Sequence, residues 1–118
     1  MEYIIGGKKY IQRPLVIGQL KQLSKLLKDV VISSEVKAAE LVEAIGDKLP
    51  EALAIVLIPE GVDIKDKNIE EIVKELEFQV DIETAVKIVE DFFDCNQVSS
   101  LLKRIQNALK ATKAQKTS

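Results

Sequence analysis

The side chains that could do chemistry are concentrated in one short stretch, residues 90–96. Carboxylates and a thiol occur together there: Glu90, Asp91, Asp94 and Cys95, followed by Asn96. A cysteine acts as a nucleophile when a neighbouring base lowers its pKa, but the chain has no histidine and the acids beside Cys95 would raise that pKa. Glu90 and Asp91 are adjacent on a predicted helix, so they point in different directions and do not form a catalytic pair. We interpret this group as the polar end of a packed helix and predict no catalytic residue and no enzyme activity.

Metal and cofactor sites are also not expected. One cysteine and no histidine allow neither a disulfide nor a multi-cysteine metal site. Asp63, Asp66 and Asn68 faintly resemble a calcium loop, but the order of ligands and the closing glutamate do not fit. The Gly6-Gly7 pair lacks the further glycine and the Lys-Ser/Thr of a phosphate-binding loop. The sequence therefore predicts no metal and no cofactor.

A β-hairpin is predicted at the N-terminus, over residues 2–13. Tyr3, Ile5 and Tyr10 are of strand-forming types, and Gly6-Gly7 between the two strands supplies the positive φ angles of a tight turn. An isolated two-stranded hairpin is only marginally stable, so it must dock on helices or pair with another chain through a free edge.

Helical periodicity of apolar residues dominates the remainder of the chain. It predicts helices at 17–31, 35–48 and 69–76, and a closing helix pair at 81–109 that is interrupted by a polar break at 94–97. Ser33 or Ser34, Asn68 and Asp81 are of the types that cap helix N-termini. Residues 52–58 are apolar on every face and predict the centre of the core, as either a short helix or a buried strand; the Pro50-Glu51 entry favours the helix.

These elements predict a mainly α (α+β) fold in which an N-terminal β-hairpin precedes a compact bundle of about five to six helices. Residues 1–110 would form a single domain, with the hairpin at 2–13 and the helices at 16–110, and residues 111–118 would form a disordered tail. The 17 cations and 19 acids give a net charge of -2, which argues against nucleic acid as the main partner. The run at 52–58 is too short for a membrane helix and no signal peptide is evident, so a cytosolic protein is expected.

A basic stripe lies on the first predicted helix, where Lys21, Lys25 and Lys28 are spaced to share one face. We interpret it as a solvated surface, with a contact to nucleic acid or to an acidic partner as the alternative.

Both ends of the chain resemble the small tail assembly proteins of phages and prophages. The N-terminal resemblance rests on Ile4-Ile5, Gly6-Gly7-Lys8, Tyr10-Ile11 and Arg13-Pro14-Leu15, followed by a helix rich in Leu, Gln and Lys. The C-terminal resemblance rests on Val89, Phe92, Phe93 and Asn96 before Leu101-Leu102. The resemblance implies a non-enzymatic tail assembly chaperone that binds the tape-measure protein. A structural or homo-oligomeric scaffold component of the tail is the alternative.

Candidate partner-binding residues follow from the hairpin and from the aromatic corner. They are Tyr3, Ile5 and Tyr10 in the first and Phe92 and Phe93 in the second. The groove of such a chaperone would shield amphipathic helices of its client, and the hairpin edge would allow pairing between subunits.

Overall fold

The computed structural model of the protein describes residues 1–30 and 36–97. The predicted caps at Ser33 and Ser34, the second helix of the closing pair and the C-terminal tail lie outside the described residues.

The N-terminal hairpin is confirmed and is part of a three-stranded antiparallel sheet. Strands β1 (Glu2–Ile5) and β2 (Lys8–Gln12) are joined at Gly6 and Gly7, whose φ angles of 58° and 79° belong to the left-handed region that glycine enters without strain. A third strand, β3 (Leu57–Pro59), pairs with the other side of β2 and gives the order β1-β2-β3. The predicted α+β class is confirmed, but the helical bundle predicted for residues 16–110 is interrupted by a strand from the middle of the chain that completes the sheet.

Five α-helices occur in the described residues. They are α1 (Ile17–Leu26), α2 (Ala38–Ile45), α3 (Leu49–Val56), α4 (Ile69–Gln79) and α5 (Ile82–Asn96). The fold is thus a mixed α+β architecture rather than a hairpin with a helical bundle. The first helix ends five residues before its predicted end at Val31, and α4 extends three residues beyond its predicted end at Leu76.

Two predicted helix starts are confirmed by their capping hydrogen bonds. The Asn68 side chain accepts from the backbone N–H of Glu71 at 3.2 Å, and the Asp81 side chain accepts from that of Thr84 at 2.7 Å. Each bond satisfies a backbone donor that has no partner within the helix. The polar break predicted at 94–97 falls at the end of α5, where Gln97 takes a left-handed conformation with φ 50°.

The central apolar run at 52–58 contains both a helix and a strand. It is α3 as far as Val56 and β3 from Leu57 onward, so the preference for a helix over the whole run is wrong for its last two residues. All seven residues are buried, with Ala54 and Leu57 fully so, which confirms the run as the centre of the core.

The core consists of two adjoining clusters of buried side chains. One joins the inner face of the sheet to α3, α4 and α5, and the other joins α2 to α3 and α5. Partly buried Leu23 and Leu49 pack against both clusters and connect them. Over residues 1–30 and 36–97, no helix is long and apolar enough to cross a membrane.

Candidate interaction surface

The polar residues at 90–96, at the end of α5, have different structural roles. Asp91 is 7 % exposed, and its carboxylate accepts hydrogen bonds from the Tyr3 hydroxyl at 2.7 Å and from Lys87 Nζ at 3.2 Å. The Tyr3 hydroxyl in turn accepts from Gln12 Nε2 at 2.8 Å. A buried carboxylate needs partners of this kind, and here they tie both strands of the hairpin to α5.

The remaining members of the group point elsewhere. Asn96 Oδ1 accepts from the backbone N–H of Leu15 at 2.7 Å, which holds the start of α1 against the end of α5. Burial raises the pKa of the Cys95 thiol, which makes it a poor nucleophile at neutral pH. Glu90 and Asp94 are exposed. Among the described residues there is no cluster of three or more histidine, cysteine or acidic side chains that would hold a metal ion.

The three candidate partner-binding residues of the hairpin lie in the core. Tyr3, Ile5 and Tyr10 are 8 %, 4 % and 1 % exposed. The Tyr10 hydroxyl donates to Glu75 on α4 at 2.6 Å, and this carboxylate also pairs with Lys8. Since these side chains hold the sheet on the helices, a partner of the folded protein would meet other residues.

The aromatic corner is only partly buried. Phe92 packs against the cluster beneath the sheet, and Phe93 packs against the cluster around α2. The two rings are tilted relative to each other, and their centroids are 6.3 Å apart. Beside Phe92 there is a small cleft of about 50 Å³ that is lined by apolar side chains from α1, α2, α3 and α5. A dry space of this size accommodates one or two small groups at most, so it is not a groove for a client helix.

A better candidate surface lies at the start of α1. We call Val16, Ile17 and Leu20 the α1 patch; they are 50 %, 74 % and 51 % exposed. The opposite side of the helix is fixed by Gln19, which is 3 % exposed and donates through Nε2 to the Ile55 carbonyl at 3.0 Å. Because Gln19 and Leu23 face inward, the helix presents Ile17 and Leu20 to solvent.

A second exposed apolar surface lies where α4 meets α5. We call Phe78 and Ile82 the α4–α5 corner; they are 85 % and 76 % exposed. Ile72 and Leu76 on α4 face the core, so Phe78 falls on the outer side of the helix. Residue 78 lies beyond the predicted end of this helix at Leu76, so the sequence did not indicate the exposed position of Phe78 on α4.

Lys67, just before α4, makes a contact that no pattern in the sequence indicates. Its ammonium donates to the carbonyls of Ala54, Ile55 and Leu57 at 2.8, 2.5 and 3.1 Å, at the point where α3 becomes β3. Burial lowers the pKa of this amine to about 8. The arrangement is a tertiary cap on the C-terminal end of α3, which carries partial negative charge.

Comparison of the chain with models of protein families, with curated proteins and with solved structures found no match.

Proposed function

We propose that the protein is a non-enzymatic assembly protein that binds an amphipathic helix of a partner protein. The observation that carries this proposal is the α1 patch. Val16, Ile17 and Leu20 are solvent-exposed on a helix whose other side is fixed in place. Full burial of an aliphatic side chain contributes about 1.5–3 kcal/mol, so covering these side chains, which are 50 % to 74 % exposed, would contribute roughly 1–2 kcal/mol each.

The charge around the patch defines the partner more closely. Lys21 is exposed one helical turn beyond Ile17, and Lys25 is exposed one turn beyond Lys21. A client helix with apolar residues at i, i+3 and i+4 and acids beside them would match both features.

The resemblance of the chain ends to tail assembly proteins supplies the biological context. We propose a tail assembly chaperone of a phage or prophage that works in the host cytoplasm and holds the tape-measure protein until the tail is built. In this role the chaperone would cover amphipathic helices of its client that would otherwise associate with one another.

Co-expression with the tape-measure protein tests the proposal. The wild-type chain should raise the amount of soluble client several-fold and co-purify with it. The double variant Ile17→Ser, Leu20→Ser should lose both effects while retaining its fold, since both side chains are exposed. Val62→Ser is the control, because Val62 is also an exposed apolar residue but lies in the loop after β3 rather than on α1. Unchanged client solubility together with no complex on gel filtration would refute the chaperone function.

A structural or scaffold component of the tail is the second candidate function. It is favoured by the presence of two separate apolar surfaces, the α1 patch and the α4–α5 corner, because a subunit of an assembly needs more than one contact surface. Quantitative mass spectrometry of purified particles separates the two functions. A fixed number of copies in each particle indicates a component, and loss of the protein on maturation indicates a chaperone.

A further inference from the structure

The chain separates its charges along the sequence, and each charged stretch contains one of the two exposed apolar surfaces. Residues 13–28, which include the α1 patch, contain four cations and no acid. Residues 68–83, which include the α4–α5 corner, contain six acids and one lysine. A net charge of -2 for the whole chain therefore conceals two surfaces of opposite sign.

The cations stand beside the α1 patch on the folded protein. Arg13, Lys21, Lys25 and Lys28 are all exposed, and Lys21 and Lys25 share the outward side of α1 with Ile17. Together they form an apolar contact with a positive rim.

The acids stand in the same way beside the α4–α5 corner. Glu77, Asp81 and Glu83 are exposed and immediately flank Phe78 and Ile82. Glu75, by contrast, is engaged with Lys8 and Tyr10. Lys8 and Lys74 line a cleft together with Phe78, so the corner is an apolar contact whose charged neighbours are mostly, but not only, acids.

The two surfaces do not cover each other within one molecule, because their side chains are 50 % to 85 % exposed. Helices α1 and α4 each pack against α3 and are not packed against each other. A contact between them must therefore come from two molecules.

We propose that the α1 patch of one copy binds the α4–α5 corner of a second copy, in a head-to-tail contact. Apolar side chains meet at the centre of this contact, and the lysines of one copy face the glutamates and aspartate of the other. A symmetric contact of two α1 patches would instead bring the cations of both copies together at a cost in free energy. Because the two surfaces differ, each copy retains one free surface after pairing, and association can continue.

Analytical ultracentrifugation of two complementary variants tests the proposal. Ile17→Ser, Leu20→Ser removes the α1 patch and leaves the corner, and Phe78→Ser, Ile82→Ser does the reverse. The wild-type chain at low salt should show a mass that rises with concentration, and each variant alone should remain a monomer. An equimolar mixture should form a species of about twice the monomer mass and stop there, because only one complementary pair of surfaces remains.

Salt and a control variant complete the experiment. Raising the salt from about 50 mM to about 500 mM should weaken the wild-type association several-fold, because the charged rims are exposed and are screened. Val62→Ser should associate like the wild type. A wild-type chain that remains monomeric, a single variant that still associates, or a mixture that gives no dimer would overturn the proposal. The α1 patch would serve both contacts, so binding of the tape-measure protein is measured separately with the client present, and absence of self-association alone does not refute it.

Discussion

At the scale of single residues, Lys67 illustrates a polar contact that only the folded chain creates. Its ammonium donates to three carbonyls at the end of α3, and one of them, the Ile55 carbonyl, also accepts from Gln19. Burial lowers the pKa of the amine to about 8, so the charge-assisted hydrogen bonds offset only part of the cost of desolvating the charge. Without the amine, the carbonyl of Ala54 would be left at a helix end without this donor.

Lys67→Met should therefore destabilise the protein, by about 1–3 kcal/mol in the free energy of unfolding. Methionine retains the apolar stem but donates no hydrogen bond to the three carbonyls. Lys65→Met is the control, since Lys65 is an exposed residue of the same loop, and it should change stability by less than about 0.5 kcal/mol. Urea denaturation followed by circular dichroism measures both. Equal stability of the two variants would contradict the capping role.

The two tyrosines are among the residues whose ionisation is linked to folding. Burial, and the hydrogen bonds that the hydroxyls donate to Asp91 and Glu75, raise the pKa of Tyr3 and of Tyr10 well above their usual 10.0. Between the usual and the raised pKa, the unfolded chain therefore loses protons that the folded chain retains. The stabilisation that the two protonated hydroxyls contribute to the folded state is fully present below pH 10. It is lost as the pH rises through the raised pKa values of the folded protein.

Alkaline titration should show this directly, because the chain has two tyrosines and no tryptophan. Tyrosinate absorbance near 295 nm should appear above pH 10 and coincide with loss of the circular dichroism of the folded state. Tyr3→Phe and Tyr10→Phe assign the two contributions. Tyrosinate formation at pH 10 in a protein whose circular dichroism is unchanged would show that the hydroxyls are free.

At the scale of elements, the aromatic corner of α5 joins the two halves of the core. Phe92 and Phe93 are adjacent in sequence, about 100° apart around the helix, and so each reaches a different cluster. The end of α5 is thereby fixed between the sheet and α2, and Asn96 adds its hydrogen bond to the start of α1.

Phe92→Ala should consequently lower the free energy of unfolding by about 2–4 kcal/mol, somewhat less than for a fully buried phenylalanine. Phe78→Ala is a matched control of the same chemistry on a neighbouring helix. With its side chain 85 % exposed, Phe78 should contribute less than about 0.5 kcal/mol. Thermal or chemical denaturation distinguishes the two variants. A small effect at Phe92 would place this ring on a partner surface instead.

At the scale of the whole molecule, the chain is nearly neutral, but the α1 patch has mainly cations beside it in the sequence and the α4–α5 corner has mainly acids. Helix α1 carries two of the four cations of residues 13–28, α4 carries four of the six acids of residues 68–83, and both helices pack against α3. Their charged sides are therefore presented to solvent at different places. The α1 patch and the α4–α5 corner become available to other molecules because the core is complete without them.

Local patterns in the sequence were sufficient for several elements. The hairpin follows from strand-forming residues around Gly6-Gly7, and the caps at Asn68 and Asp81 follow from side chains that satisfy helix donors nearby in sequence. The burial of residues 52–58 follows from a run that has no polar face. In each case the interaction that decides the structure involves residues only a few positions apart.

Tertiary structure decided the features that depend on residues far apart in the sequence. The third strand forms because Leu57 and Ile58 pair with β2, which lies more than forty residues earlier, and a backbone pairing of this kind leaves no periodic signal in so short a segment. The inward positions of Tyr3, Ile5 and Tyr10 were likewise fixed by the helices that cover one face of the sheet. Composition alone determined that the chain would fold around aliphatic side chains, whereas packing decided which apolar residues, Ile17 and Phe78 among them, remained exposed for a partner.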